Sequence, residues 1–167
     1  MTEDGYQVSA YTFKGSEKTG YYPPGRPAVL MVPGILDDGA RWLEMQTPDL
    51  TKKNPLPLMI QIANAGYEVW IGDVRGTEDN LVHRSLSPDD PEFWNFTWDD
   101  VARYDLPAMV DLVKKQTGKE KIFYIGYSNG ATAMLQALAD QELNQKLVGS
   151  LHKVIALSPC PFYQLNG

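Results

Sequence analysis

Residues 119–138 read KEKIFYIGYSNGATAMLQAL. Within them, residues 122–125 are a short apolar run, β-branched and aromatic, of the kind that makes a buried strand. Gly126-Tyr127-Ser128-Asn129-Gly130 follows with the spacing G-x-S-x-G. Residues 131–139 are then rich in Ala, Leu, Met and Gln, carry no breaker, and predict a helix. Strand, G-x-S-x-G and helix in succession form the pattern of a nucleophile elbow, in which Ser128 sits in a strained turn. Side chains in place of Gly126 and Gly130 would collide with the strand and the helix. The amides at the start of the helix point where an oxyanion would form. A bare G-x-S-x-G arises by chance in on the order of one chain in twenty of this length. The flanking strand and helix make an incidental Ser in an ordinary glycine turn the weaker reading.

Outward from this stretch, apolar runs recur. Residues 28–32, Ala-Val-Leu-Met-Val, read as a strand buried on both faces. Residues 67–71 read as another strand, closed by Gly72 to Gly76, and residues 154–157 as the last. The loose alternation in residues 6–13 predicts a peripheral antiparallel strand. Between the strands, residues 58–65 predict a short helix stopped by Gly66. A helix begins at Thr97, with Asp99 and Asp100 in its first turn, and runs to about Gln116. Pro107 should kink or divide it. Residues 142–149 predict a further helical piece. Residues 14–27, 33–39 and 77–96 read as loops, and 42–57 as irregular with short helical pieces. Strands alternating with helices specify an α/β fold: a mostly parallel sheet with helices on both faces.

With 167 residues the chain is expected to form a single domain over 1–167. A net charge of −6 with scattered Lys and Arg excludes the basic footprint of a nucleic-acid binder. The single cysteine, Cys160, excludes an internal disulfide. No apolar run reaches membrane-spanning length. The start, Met1 to Gly5, lacks the apolar core of a signal peptide, as in a cytosolic protein or one whose signal is removed.

Ser128 is the nucleophile candidate, and it needs a base and an acid to orient that base. Two histidines are present. His83 precedes the Ser, out of order for the base in a Ser, Asp/Glu, His succession. His152 precedes the last strand, which puts it at the opposite edge of the sheet from the elbow. Both read as solvated or packing histidines, and the chain offers no convincing acid either. The oxyanion donors are better represented: the backbone N–H of Asn129 and, from the turn after strand 28–32, that of Ile35. Asp73 and Arg75 read as a structural turn with a mutual or nearby ion pair. Phe93, Trp94 and Trp98 read as core rather than a lipid-docking patch. Asn95-Phe96-Thr97 is an N-glycosylation sequon. The chemistry calls for no cofactor and no metal.

The chain resembles the N-terminal half of the acid lipases, the gastric and lysosomal acid lipase group of α/β-hydrolases. The resemblance rests on Thr2 to Tyr6 and on Pro33-Gly34-Ile35-Leu36, where the family has His-Gly-Leu-Leu. It extends through residues 63–70 with Arg75-Gly76, Glu92-Phe93-Trp94 and Tyr104-Asp105-Leu106-Pro107. Gly126 to Gly130 stands where the family has Gly-His-Ser-Gln-Gly. It implies hydrolysis of triacylglycerols, cholesteryl esters or other lipid esters through a Ser-Asp-His triad under a cap. Ser128 is then the nucleophile, with Ile35 and Asn129 as oxyanion donors. It also implies a secreted or lysosomal location. The cap, the last strands and the Asp- and His-bearing loops of the family have no counterpart here. The expectation is therefore an incomplete α/β-hydrolase sheet whose lipid-ester chemistry needs a second chain or the C-terminal half. The competing expectations are a non-catalytic hydrolase scaffold used for binding or assembly and, more weakly, an acyltransferase.

Overall fold

The computed structural model describes residues 1–16, 20–44 and 56–160. The alternating segment near the start gives strand β1 (Ser9–Thr12). The loop expected after it closes a small hairpin of two-residue strands, β2 (Gly15–Ser16) and β3 (Gly20–Tyr21), too short to leave a periodic signal. The apolar run β4 (Ala28–Val32) is buried at every position. Helix α1 (Arg41–Glu44) opens the segment expected to be irregular, of which residues 45–55 lie outside the described residues. Helix α2 (Leu58–Asn64) is followed by Gly66 at φ 98°, the left-handed stop its sequence implies. Strand β5 (Glu68–Asp73) comes next, then a long connection holding two 3₁₀ turns, Glu78–Asn80 and Pro91–Trp94.

The helix expected from Thr97 forms in three pieces: α3 (Trp98–Asp100), a π turn over Val101–Asp105, and α4 (Leu106–Thr117). Asp100 Oδ2 accepts from the Thr97 backbone N–H at 2.7 Å, which caps the start. Pro107 has no N–H and its ring crowds the preceding turn. The wider π turn, in which the Leu106 N–H reaches Val101 O, takes up this mismatch. Strand β6 (Ile122–Tyr127) leads into α5 (Asn129–Ala139). Helix α6 (Gln141–Leu147) begins on Asp140, whose carboxylate accepts from the Glu142 and Leu143 N–H groups. Strand β7 (Leu151–Leu157) starts three residues before its apolar run, because His152 and Lys153 belong to it yet face solvent.

Five strands form one sheet in the order β1-β5-β4-β6-β7. Strand β1 pairs antiparallel to β5 and the other neighbours run parallel, with Leu30 opposite Tyr124 and Tyr124 opposite Val154. Alternation along β4 feeds two cores. Leu30 and Val32 face Leu106, Met109 and Val113 of α4 and Met134 of α5. Val29 and Met31 face Trp42 of α1 and Met59 and Ala63 of α2. Each large side chain so buried contributes about 1.5–3 kcal/mol. This clamps the C-terminal ends of β4, β6 and β7 side by side.

Candidate active site

Ser128 connects β6 to α5 at φ 50° and ψ −117°, a backbone conformation that costs a non-glycine residue about 1–3 kcal/mol. The surrounding structure holds it there. Its N–H donates to Leu157 O at 2.9 Å, and its carbonyl accepts from the Thr132 N–H at 3.0 Å and hydroxyl at 3.1 Å. A Cβ on Gly126 would lie 2.6 Å from Ala131 N, and one on Gly130 would lie 2.4 Å from Pro33 O. Only glycine at both positions lets α5 fold back over β6 and touch the end of β4. The buried Tyr124 hydroxyl in β6 donates to Gly130 O at 2.8 Å, fastening the strand to the helix.

The three non-glycine residues with positive φ among the described residues are Leu36, Ser128 and Ser158, at φ 60°, 50° and 45°. They follow the C-terminal ends of β4, β6 and β7. In an open parallel sheet this edge is where a ligand crevice forms. The turn after β4 closes directly on Ser128, since a Cβ on Gly34 would lie 3.0 Å from Ser128 Cβ and 3.4 Å from Ser128 Oγ. The Asn129 N–H, as the first of α5, has no acceptor within its helix. It and the Ile35 N–H therefore stand on adjoining segments around Ser128. The Asn129 side chain is buried, and its Oδ1 has no hydrogen-bond partner among the described residues. Gly34 also borders a pocket of about 480 Å³ lined by Ile35, Leu36, Val74, Trp94 and Trp98 among others. Ser128 does not line that pocket; Gly34 separates the two.

Asp73 is tied to this turn and not to Arg75. Its Oδ1 accepts from the Gly39 N–H at 2.6 Å, pinning the far end of the turn to β5. Burial pushes the Asp73 carboxyl up, against the pull of the Gly39 N–H and the Tyr11 hydroxyl. Arg75 is buried and turns the other way. Its side chain donates to Asp105 Oδ1 from Nε at 2.9 Å and Nη2 at 2.7 Å, and to Asp4 Oδ2 from Nη1 at 2.7 Å. The Tyr6 ring lies 4.2 Å from the guanidinium carbon. This cluster locks the N-terminal segment onto the π turn.

Neither histidine approaches Ser128. His83 Nδ1 accepts from the Ser85 and Leu86 N–H groups at 3.1 and 3.0 Å, so the proton sits on Nε2, which donates to Asp4 O at 3.1 Å. Both nitrogens are occupied, Nδ1 within its own loop and Nε2 on the N-terminal segment. His152 lies at the start of β7, its ring 5.2 Å from that of Phe123. Ser128 is bonded to Leu157 at the other end of that strand, about 16 Å away along the strand. The aromatic reading needs one correction: Phe93 is fully buried and Trp98 partly so, but Trp94 is 47 % exposed. Its indole N–H donates to Pro88 O, which holds the ring outside the core. The arrangement thus supplies a hydroxyl on a strained turn beside the turn of Gly34; the described residues place no base beside it.

A family profile described as the alpha/beta hydrolase fold matches residues 27–165. The chain is 37% identical over 131 residues to lipase member M of Mus musculus, covering 78% of this chain and 29% of that protein. It is 33% identical over 159 residues to gastric triacylglycerol lipase of Mus musculus, covering 95% of this chain and 38% of that one. The chain therefore spans about a third of the length of such curated relatives. Among solved structures, Est1E from Butyrivibrio proteoclasticus, with ferulic acid bound, superposes with a TM-score of 0.63 at 18% identity. That match covers 96% of this chain and 53% of that chain, and is a likeness of fold.

Proposed function

The chain belongs to the alpha/beta hydrolase fold family, and from that premise we propose that it is part of a serine hydrolase of lipid esters in which Ser128 is the nucleophile. The observation that carries the reading is the strained Ser128 backbone between β6 and α5, with the turn of Gly34 closed against it. The 31–38% identities to gastric and other lipases support the lipid-ester substrate class. Residues 1–167 are then the N-terminal part of one hydrolase domain.

In the proposed reaction the Ser128 hydroxyl loses its proton to a histidine as Oγ bonds to the ester carbonyl carbon. The carbonyl π electrons move to oxygen, and the Ile35 and Asn129 N–H groups donate to that oxyanion. Collapse breaks the bond to the alcohol oxygen, which leaves with the proton, and Ser128 keeps the acyl group. Water, activated by the same histidine, attacks the acyl carbon, releasing the acid and restoring Ser128. His83 is held by its own hydrogen bonds, and His152 lies at the far end of β7 from Ser128. We therefore assign the base and its orienting carboxylate to residues beyond those described, on a second polypeptide or on the remainder of a longer chain.

A fluorophosphonate probe tests this by intact-mass spectrometry of the native preparation. The expected result is one adduct on Ser128, lost in Ser128→Ala, when a completing polypeptide is present. A second reading, a non-catalytic hydrolase scaffold, is favoured by the position of both histidines away from Ser128. It predicts a folded chain that stays unlabelled with every partner and is unaffected by Ser128→Ala.

A further inference from the structure

Asn95-Phe96-Thr97, the one N-x-S/T triplet in the sequence, has no part in the ester chemistry. We infer that Asn95 carries an N-linked oligosaccharide whose first sugar rests on the exposed face of Trp94. The triplet follows the 3₁₀ turn Pro91–Trp94, and its side chains divide by environment. Phe96 is half-buried, with its ring 5.5 Å from that of Tyr6 and against Gly76, where an added Cβ would lie 2.8 Å from it. Asn95 and Thr97 on either side are exposed. The middle residue therefore anchors the triplet while the acceptor amide faces solvent. That amide gives a long 3.3 Å hydrogen bond to Glu92 Oε1 on the surface, a contact a sugar can displace at little cost. Thr97 is extended, at φ −123° and ψ 176°.

Trp94 supplies a second, independent observation. It is 47 % exposed, adjoins Asn95 in sequence, and is fixed by its own hydrogen bond to Pro88 O. A large aromatic ring left half exposed is a ready surface for the apolar C–H face of a pyranose. In the transfer, the Asn95 amide nitrogen forms a bond to the anomeric carbon of an oligosaccharide carried on a polyprenyl pyrophosphate. The bond from that carbon to the pyrophosphate oxygen breaks, its electron pair leaves with the pyrophosphate, and the amide nitrogen loses one proton. The glycan would stand at the rim of the pocket that Trp94 and Phe96 help to line.

The test is intact-mass and peptide-mass spectrometry of the protein recovered from the cells that make it. Peptide-N-glycosidase in heavy-oxygen water should remove one oligosaccharide and leave a labelled Asp at position 95. Asn95→Gln and Thr97→Val should lose that mass, and Thr97→Ser should keep it. Removing the glycan should shift tryptophan emission to the red in the wild type but not in Trp94→Ala. An unmodified Asn95 in the recovered protein overturns the proposal, as does a glycan that survives Asn95→Gln. Emission indifferent to deglycosylation overturns the contact with Trp94. None of these readouts depends on ester hydrolysis.

Discussion

At the scale of single residues, the elbow is governed by two close approaches that no side chain tolerates. Gly130→Ala would place a methyl 2.4 Å from Pro33 O and 2.6 Å from Val32 O, both backbone atoms. The expected cost is about 1–3 kcal/mol, read as a lowered midpoint in denaturant unfolding. Arg75 makes a second such point. Asp105→Ala leaves its buried guanidinium with Asp4 alone, an expected loss of about 3–5 kcal/mol. Asp4 also carries a pH signature. Burial raises its carboxyl, but the hydrogen bond and charge of Arg75 outweigh this and hold it below its ordinary value. Its stabilising contribution is therefore complete above about pH 4 and is lost as pH falls through the depressed value. Thermal melts of Asp4→Asn and the wild type should accordingly converge in acid and separate toward neutrality. The elbow around Ser128 was legible because strand, G-x-S-x-G and helix are contiguous in sequence. The partners of Arg75 were not, since Asp105 and Asp4 lie 30 and 71 positions away and only folding brings them to it.

At the scale of elements, legibility followed burial. Strand β4 is covered on both faces and reads as an unbroken apolar run. Strand β7 begins with the exposed His152 and Lys153, so its first turn of sequence resembled a loop. The π turn also escaped a periodic reading. Pro107 announced an interruption near it, but the choice of a wider turn over a kink depends on what packs around Asp105, which is fully buried. The start of the same helix can be tested separately. Asp100→Ala removes the acceptor of the Thr97 N–H and should cost about 1 kcal/mol in urea unfolding, with no change in the far-UV spectrum of the folded state.

At the scale of the molecule, the described sheet has β7 as its outer strand, with Ile155 at 41 % exposure. A seven-residue strand with no neighbour on its outer side among the described residues, and with an exposed branched side chain, invites strand-to-strand association. Ile155→Glu should lower light scattering during incubation at high concentration, while changing unfolding free energy by no more than about 0.5 kcal/mol. Layer order and sheet class were readable from alternating strands and helices, because short right-handed connections leave few alternatives. The contact of Gly34 with Ser128 joins two segments nearly a hundred positions apart, and nothing local to either announces it.

The bond from Tyr124 to Gly130 has an optical consequence. Burial raises the Tyr124 phenol far above the range of a solvated tyrosine. Of the nine tyrosines, it will form phenolate only when the junction of β6 and α5 parts enough to admit hydroxide. Burial also raises the phenols of Tyr6 and Tyr11. After a rapid jump to alkaline pH, the part of the late rise in ultraviolet absorbance that Tyr124→Phe abolishes is distinct from theirs and becomes a clock for that parting. Its rate measures how often the segment around Ser128 breathes in the folded chain.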